Sequence, residues 1–369
     1  MDRPRFVIEA TEVESMAKKS GVSILELLPS LVKSAKKLAR PPISKYHVGA
    51  VGLGSNGRIF FGVNLEFPGL PLHQSVHAEQ FLITNALINR ESQINYFAVS
   101  SAPCGHCRQF LQEIRGATDI KILITSSDNG EEEGGEFKPI SGFLPHRFGP
   151  DDLLEKNVPL LLEPHDNGLV ECNNVYSNGI YCNGNVDIGI GKLKIAAFEA
   201  ANASHAPYSG CPSGVAIMDS DGKVYKGSYT ESAAYNPSLG PIQAALVAYI
   251  ASGGGGYEKI VAGVLVEKEG AMVGQEGTAM LLLKTISPQC TSLDGVMFVF
   301  DYGKVLAYDL VGDKWFEKPV QDIGISSPSG YPDDLVLGHV AAIGKNSLCV
   351  VWVDWVASDE SNDECCSSW

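Results

Sequence analysis

The chain has no uninterrupted apolar run of the ~18–20 residues that a membrane-spanning helix needs, so no helical span is expected. It is also short of positive charge: 28 Lys and Arg stand against 43 Asp and Glu, a net charge of −15. Neutralising a polyphosphate backbone needs a basic face, so neither nucleic acid nor an anionic membrane is an expected partner. A small ligand in a local pocket stays open. The start, Met1-Asp2-Arg3-Pro4-Arg5-Phe6, lacks the apolar stretch of a secretory leader. Nine cysteines, an odd number in a chain of 369 residues without such a leader, do not suggest a disulfide framework. Free or metal-bound thiols in a reducing compartment, the cytosol, are expected instead. With 44% hydrophobic and 19% charged residues, the chain has the material for a real core and is not a disordered polymer.

Residues 1–20 read as a polar, partly ordered extension. From 22 to 39, apolar residues recur at helical spacing (Ile24, Leu27, Leu28, Leu31, Val32, Ala35, Leu38), and Pro41-Pro42 ends the helix. Two short β-type runs, 47–53 and 59–65, flank Ser55-Asn56-Gly57, a strong hairpin signal. A helix over 77–89 follows. Strands at 95–101 and 120–126, with a helix from about 105 to 115 between them, imply a parallel pair with a right-handed crossover. The acidic, Gly-rich 128–137 reads as a solvated insertion.

The chain then repeats itself. Adding 165 to positions of the first unit carries Pro42 to Pro207, Ser44 to Ser209, Gly49 to Gly214, Gly57 to Gly222, Gly62 to Gly227 and Glu66 to Glu231. A second hairpin and a helix over 241–251 are therefore expected, in one duplication and not a solenoid. The expected division is an extension (1–20), a first α/β unit (21–158), a linker (159–191) whose 164–191 stretch is rich in Asn, Gly and Asp, a second unit (192–290) and an all-β tail (291–369). In the tail, 295–315 and 346–356 alternate apolar and polar residues. The apolar face of such runs must pack on the second unit, pair with another chain or leave an edge exposed.

Chemistry gathers in two short segments: His77-Ala78-Glu79 at a helix start, and Pro103-Cys104-Gly105-His106-Cys107 at a strand-to-helix junction. Cys104 and Cys107, three apart at a helix N-terminus, share a face and favour the thiolate form. With His77 they make three zinc ligands and leave one position open, the mark of a catalytic site. Glu79 can project into the same cleft without ligating, as a proton carrier. A C-x-x-C pair alone would fit a structural zinc or a redox pair. His106 lies between the cysteines and should point away from their shared face, and His73 lies in a preceding loop, so neither is expected to close the site.

The H-x-E…P-C-x-x-C pattern is the established signature of zinc-dependent nucleobase deaminases. HAEQ followed by PCGHCRQFL resembles the cytidine deaminase family, and the duplication resembles its two-domain, homodimeric plant and bacterial branch. The resemblance covers roughly residues 20–290 and includes Gly62-Val63-Asn64-Leu65-Glu66-Phe67. It implies a duplicated three-layer α/β/α fold with a degenerate second copy, whose sheet the strand near 295–301 would complete; the rest of the short all-β tail lies beyond the family's usual end. It also implies one Zn2+ per chain on His77, Cys104 and Cys107, with Glu79 as the catalytic acid–base. The activity implied is conversion of cytidine and 2′-deoxycytidine to the uridine products and ammonia, in pyrimidine salvage. Asn64 and Glu66 would bind the ribose, with Leu65, Ala78 and Tyr46 also at the substrate; Tyr46 stands where the family has Phe. Ala233 and Tyr235 would reach the partner subunit's site.

At the same 165 offset, His77 falls on Ile242 and Glu79 on Ala244, and no Cys lies between Cys211 and Cys290, so the second unit should be catalytically empty. Two rival readings remain. One is a polynucleotide deaminase, which the charge balance and the lack of a basic or aromatic platform disfavour. The other is a non-catalytic scaffold carrying a tail whose Tyr308-Asp309 and Trp315 look kelch-like, though about 80 residues are too few to close a propeller of ~4–8 blades.

Overall fold

In a computed structural model, residues 4–125, 135–169, 186–268, 271–288, 296–301, 304–309, 314–316, 340–343 and 348–351 are described. The first unit is a six-stranded sheet in the order β1-β3-β2-β4-β5-β6, made of Val7–Ile8 (β1), Gly49–Gly54 (β2), Ile59–Val63 (β3), Ile94–Val99 (β4), Lys121–Ile124 (β5) and Lys138–Pro139 (β6). β4 and β5 run parallel and every other neighbouring pair is antiparallel. The β2–β3 hairpin turns at Gly57, whose φ of +83° a side chain rarely adopts.

Helices cover both faces. Ile24–Lys36 (α2) starts in a capping box, the Glu26 N–H donating to Ser23 Oγ at 3.3 Å and the Ser23 N–H to Glu26 Oε2 at 2.8 Å. Ala78–Ile88 (α3) lies on the opposite face and buries residues on every side, from Glu79 to Ala86. Alternation along β2 shows the two faces: a Cβ on Gly49 would strike the α2 backbone at Lys36, and one on Gly52 would press on Leu82 of α3. Gly105–Phe110 (α4) connects β4 to β5.

Residues 4–20 are structured, contrary to the expectation of a partly ordered extension. β1 pairs with β3 and is followed by Ala10–Ser20 (α1). Phe6, Ile8, Val13 and Ala17 are buried, and Asn85 Nδ2 on α3 donates to the Phe6 and Phe61 carbonyls at 2.9 and 3.0 Å. Few apolar residues are involved, but they sit at strand and helix spacing, which a count of polar residues conceals.

Pro150–Leu153 (α5) and Val186–Asn202 (α6) lead into the second unit, so a helix occupies the end of the expected linker; residues 170–185 lie outside the described residues, as do 126–134 of the acidic insertion. The second sheet runs β12-β11-β10-β9-β7-β8, from Ser213–Asp219 (β7), Val224–Ser228 (β8), Ile260–Glu267 (β9), Val296–Asp301 (β10), Lys304–Asp309 (β11) and Lys314–Phe316 (β12). Pro241–Ala251 (α7) covers β8, and Glu276–Ile286 (α8) precedes β10. β10 pairs parallel with β9 as β5 does with β4, so the strand near 295–301 completes the copied sheet. The tail then continues that sheet through β11 and β12, and Val340–Ile343 (β13) pairs with Leu348–Val351 (β14). The two units are thus copies of one α/β/α layering, and one hydrophobic cluster runs through both, with α3 against α7.

The copies also exchange polar contacts. Arg40 donates to the Gly254 and Gly255 carbonyls at 2.8 and 2.7 Å. Its counterpart His205 instead faces Glu113 of the first unit, Nε2 to Oε2 at 3.3 Å. The fully buried Glu113 also accepts from the Tyr208 hydroxyl at 2.6 Å and the Ala233 N–H at 2.7 Å. A hydrogen bond to a carboxyl group is worth about 1.5–3 kcal/mol, and this one lies between units. Tyr208→Phe should therefore lower stability by about 2 kcal/mol, read as a lower urea midpoint at unchanged slope. A chain ending after Asp301 should stay dispersed, because β10 still covers β9; one ending after Pro288 bares that edge and should aggregate, as light scattering will report.

Candidate active site

Two helix N-termini meet at one spot. His77 is the N-cap of α3 and Cys104 the N-cap of α4, with Cys107 inside the first turn of α4. Nδ1 of His77 lies 3.2 Å from Cys107 Sγ and 3.4 Å from Cys104 Sγ, and the three donor atoms lie within 4.8 Å of one another. Among the described residues this is the one such cluster of His, Cys and acidic groups. His106 and His73 stand outside it; the His106 ring sits 5.2 Å from that of His77.

Glu79 is buried, with Oε2 3.3 Å from Cys107 Sγ. Burial pushes its carboxyl above the usual range. A hydrogen bond from the Cys107 thiol, reinforced by the His77 ring, holds Cys104 down to about 3, and that same bond followed by burial drives Cys107 well up. His77 is raised by its bond to the Cys104 sulfur. Two sulfurs and one ring nitrogen suit zinc, whose bonds of about 2.3 Å to sulfur and about 2.0–2.1 Å to nitrogen put such donors about 3.5 Å apart. The residues fit the ion, with Cys104 exposed on the open side.

The other expected residues are placed as follows. Asn64 Oδ1 accepts from the Val48 N–H and Nδ2 donates to the Tyr46 carbonyl, both at 2.9 Å. Glu66 Oε2 accepts from the Ile43 and Ser44 N–H groups at 2.9 and 2.8 Å, and Oε1 from Ser44 Oγ at 2.5 Å. Burial pushes the Glu66 carboxyl up, but these donors outweigh it and leave it below its ordinary value. Leu65, between them, is buried, and its N–H and carbonyl are both paired with Val76. Its part is to hold Asn64 and Glu66 on one side of the strand end. Ala78 is buried at the first turn of α3. Tyr46 is 59% exposed, with its hydroxyl 2.8 Å from Ser101 Oγ. Ala233 is buried against Glu113, whereas Tyr235 is 68% exposed at a φ of +61°, an unusual conformation for an aromatic residue. Gln80 Nε2, one residue past Glu79, donates to the Pro237 carbonyl at 3.0 Å in the same loop.

The second unit's correspondence needs one correction. Leu65 bridges Val76, and its counterpart Thr230 bridges Leu239, so the chain takes ten residues from Glu66 to Val76 but eight from Glu231 to Leu239. Beyond that shorter loop the register slips by two. Gly240, the N-cap of α7, stands for His77, and Ile242 stands for Glu79, in place of the Ile242 and Ala244 expected from an ungapped offset. Glycines on the two sheets agree: a Cβ on Gly62 would strike the Ala78 carbonyl and one on Gly227 the Pro241 carbonyl. The copy still lacks ligand and base. Ser44, Ser101, Gln80 and Glu113 were not singled out for the site; of these, only Ser44 carried a signal, its recurrence as Ser209.

Comparison with known proteins adds the following. The family model described as the cytidine and deoxycytidylate deaminase zinc-binding region matches residues 23–123, and a second model of the same description matches 140–280. The chain is 62% identical over 296 residues to cytidine deaminase 1 of Arabidopsis thaliana, covering 79% of this chain and 97% of the relative. It is 49% identical to cytidine deaminase 7 of the same plant, covering 78% and 93%. Against the cytidine deaminase of Serratia proteamaculans (strain 568), identity is 35%, covering 79% and 91%. Metal analysis should find one zinc per chain, and Cys104→Ser or Cys107→Ser should remove it. Two zinc ions per chain would show that the second unit holds a metal after all.

Proposed function

The chain belongs to the cytidine and deoxycytidylate deaminase family, and from that premise we propose that it hydrolyses cytidine, and 2′-deoxycytidine as well, to the uridine product and ammonia. The observation that carries the reading is a buried carboxyl, Glu79, directly beside a three-donor zinc set with an open side. Residues 21–158 are the catalytic unit, 192–290 the non-catalytic copy and 291–369 the tail. The role suits pyrimidine salvage in the cytosol.

His77, Cys104 and Cys107 would hold the zinc ion. When bound there, zinc supplies Lewis-acid activation of water. Glu79 does the proton work. Its raised affinity for protons suits one group to serve as base and then as acid. It takes a proton from the attacking water as the oxygen adds to C4 and delivers it to ring N3. It then takes the remaining hydroxyl proton and passes it to the 4-amino group, so that the C4–N bond breaks and ammonia leaves. Asn64 and Glu66 receive the ribose at the strand end, and the exposed Tyr46 ring lines the base. The Ala78 backbone, at the mouth of α3, lies beside the base.

The protein acts as a homodimer in which the loop carrying Ala233 and Tyr235 reaches the partner subunit's site. An exposed aromatic residue held at positive φ supports this, because such a conformation persists where a specific contact uses it. Glu79→Gln should keep zinc and fold while cutting turnover by ~10²–10⁴ or more, since the one group serves several proton transfers. Ultraviolet absorbance loss with cytidine, run beside metal analysis, checks this. Activity within about tenfold of the parent would remove Glu79 from the mechanism.

A further inference from the structure

The loop between α2 and β2 is copied contact for contact in the second unit. In the first, Ser44 Oγ donates to Glu66 Oε1 at 2.5 Å, the Ile43 and Ser44 N–H groups donate to Oε2, and the Tyr46 N–H donates to Ser44 Oγ at 3.0 Å. At the copied positions, Ser209 Oγ donates to Glu231 Oε1. The Tyr208 and Ser209 N–H groups donate to Glu231 Oε2 at 2.8 and 3.1 Å, and the Cys211 N–H donates to Ser209 Oγ at 3.1 Å. The left-handed residue recurs too, Lys45 at φ 60° and Gly210 at φ 63°.

The second unit has Gly240 and Ile242 where the first has His77 and Glu79, so its serine–glutamate network serves architecture alone. The first unit's network has something more. Glu231 is 3% exposed and closed off, whereas Glu66 is only partly buried. Oε1 of Glu66 receives a single bond, from Ser44, and a carboxylate oxygen can accept a second. Asn64, whose side chain ties down Tyr46 and Val48, is replaced in the copy by Tyr229. These differences belong to the first unit, the one that carries the metal-ligand set and Glu79.

We propose that Ser44 is a positioning residue for the nucleoside sugar. Its hydroxyl, bonded to the Glu66 carboxylate on one side and the Tyr46 N–H on the other, sets the spacing between the group that receives a ribose hydroxyl and the ring that lines the base. The inference rests on the reading that Glu66 meets the sugar. Because the copy repeats the same bond in a unit without ligands or base, it supplies an internal control for the structural share of the effect.

The test compares Ser44→Ala, Ser44→Thr and Ser209→Ala in the full-length, zinc-loaded protein, with cytidine and 3′-deoxycytidine as substrates. Ser44→Ala and Ser209→Ala should shift the urea midpoint by similar amounts. Only Ser44→Ala should raise KM for cytidine, by about tenfold or more with kcat within about threefold, because a Glu66 carboxylate no longer held by Ser44 loses its hydrogen bond to the sugar in ground and transition states alike. It should also narrow the parent's preference for cytidine over 3′-deoxycytidine. Ser44→Thr, which keeps the hydroxyl, should restore both. If Ser44→Ala moves KM no more than Ser209→Ala while the parent still discriminates between the two nucleosides, the positioning role is overturned and the sugar reading stands. If the parent does not discriminate and Glu66→Gln leaves KM unchanged, the sugar reading fails and the inference falls with it.

Discussion

Everything at the site depends on two helix N-termini being aimed at the same point. A parallel β4–β5 pair needs a crossover, and the crossover starts with α4, so Cys104 emerges at the carboxyl end of β4. α3 lies across the face of the same sheet with its N-cap at the same end. The cap residues are spent on chemistry: His77 and Cys104 present donor atoms where a Ser or Asp would ordinarily satisfy the backbone. Glu79 is buried within the first turn, two residues after His77, where α3 is enclosed on every side. The residue that must be dry sits two positions past His77 on α3, while the exposed ligand, Cys104, caps the neighbouring α4.

The second unit accounts for why that arrangement is stable. α3 is buried on nearly every side and so needs cover; α7, buried in the same way, packs against it, and the hydrophobic cluster is continuous through both. The polar seams run in opposite directions, Arg40 to the second unit's carbonyls and the His205 position to Glu113 of the first. Glu113 follows α4 directly and takes the Ala233 N–H, while Gln80 follows Glu79 and takes the Pro237 carbonyl. A copy without ligands or base is thereby tied to both helices that carry the site.

Much of this was legible in the chain. Helical periodicity placed α2, the internal repeat placed α7, Asn56-Gly57 placed the first hairpin, and the spacing of His77, Glu79, Cys104 and Cys107 singled out the residues that the fold then brought together. These are local signals, in which each residue type states a conformational or chemical preference without reference to distant neighbours. The N-terminal extension was misjudged because its order comes from Asn85 and the β3 edge, more than 50 residues away. The copy's register was misplaced by two for a related reason: an ungapped offset cannot show a loop that shortens between bridged strands, and only the Leu65–Val76 and Thr230–Leu239 bridges reveal it.

By itself, then, the sequence determined the repeated α/β architecture, the donor set and the emptiness of the second copy, because each is written in residue identity and short-range spacing. Tertiary structure decided that His77 faces the sulfurs through Nδ1, that Glu79 is dry, that Leu65 serves through its paired backbone, and that Ser44 and Glu113 hold the loops around the cleft. Those are matters of burial and of contacts between segments far apart in the chain. Burial and long-range contact exist only once the layers have closed on one another.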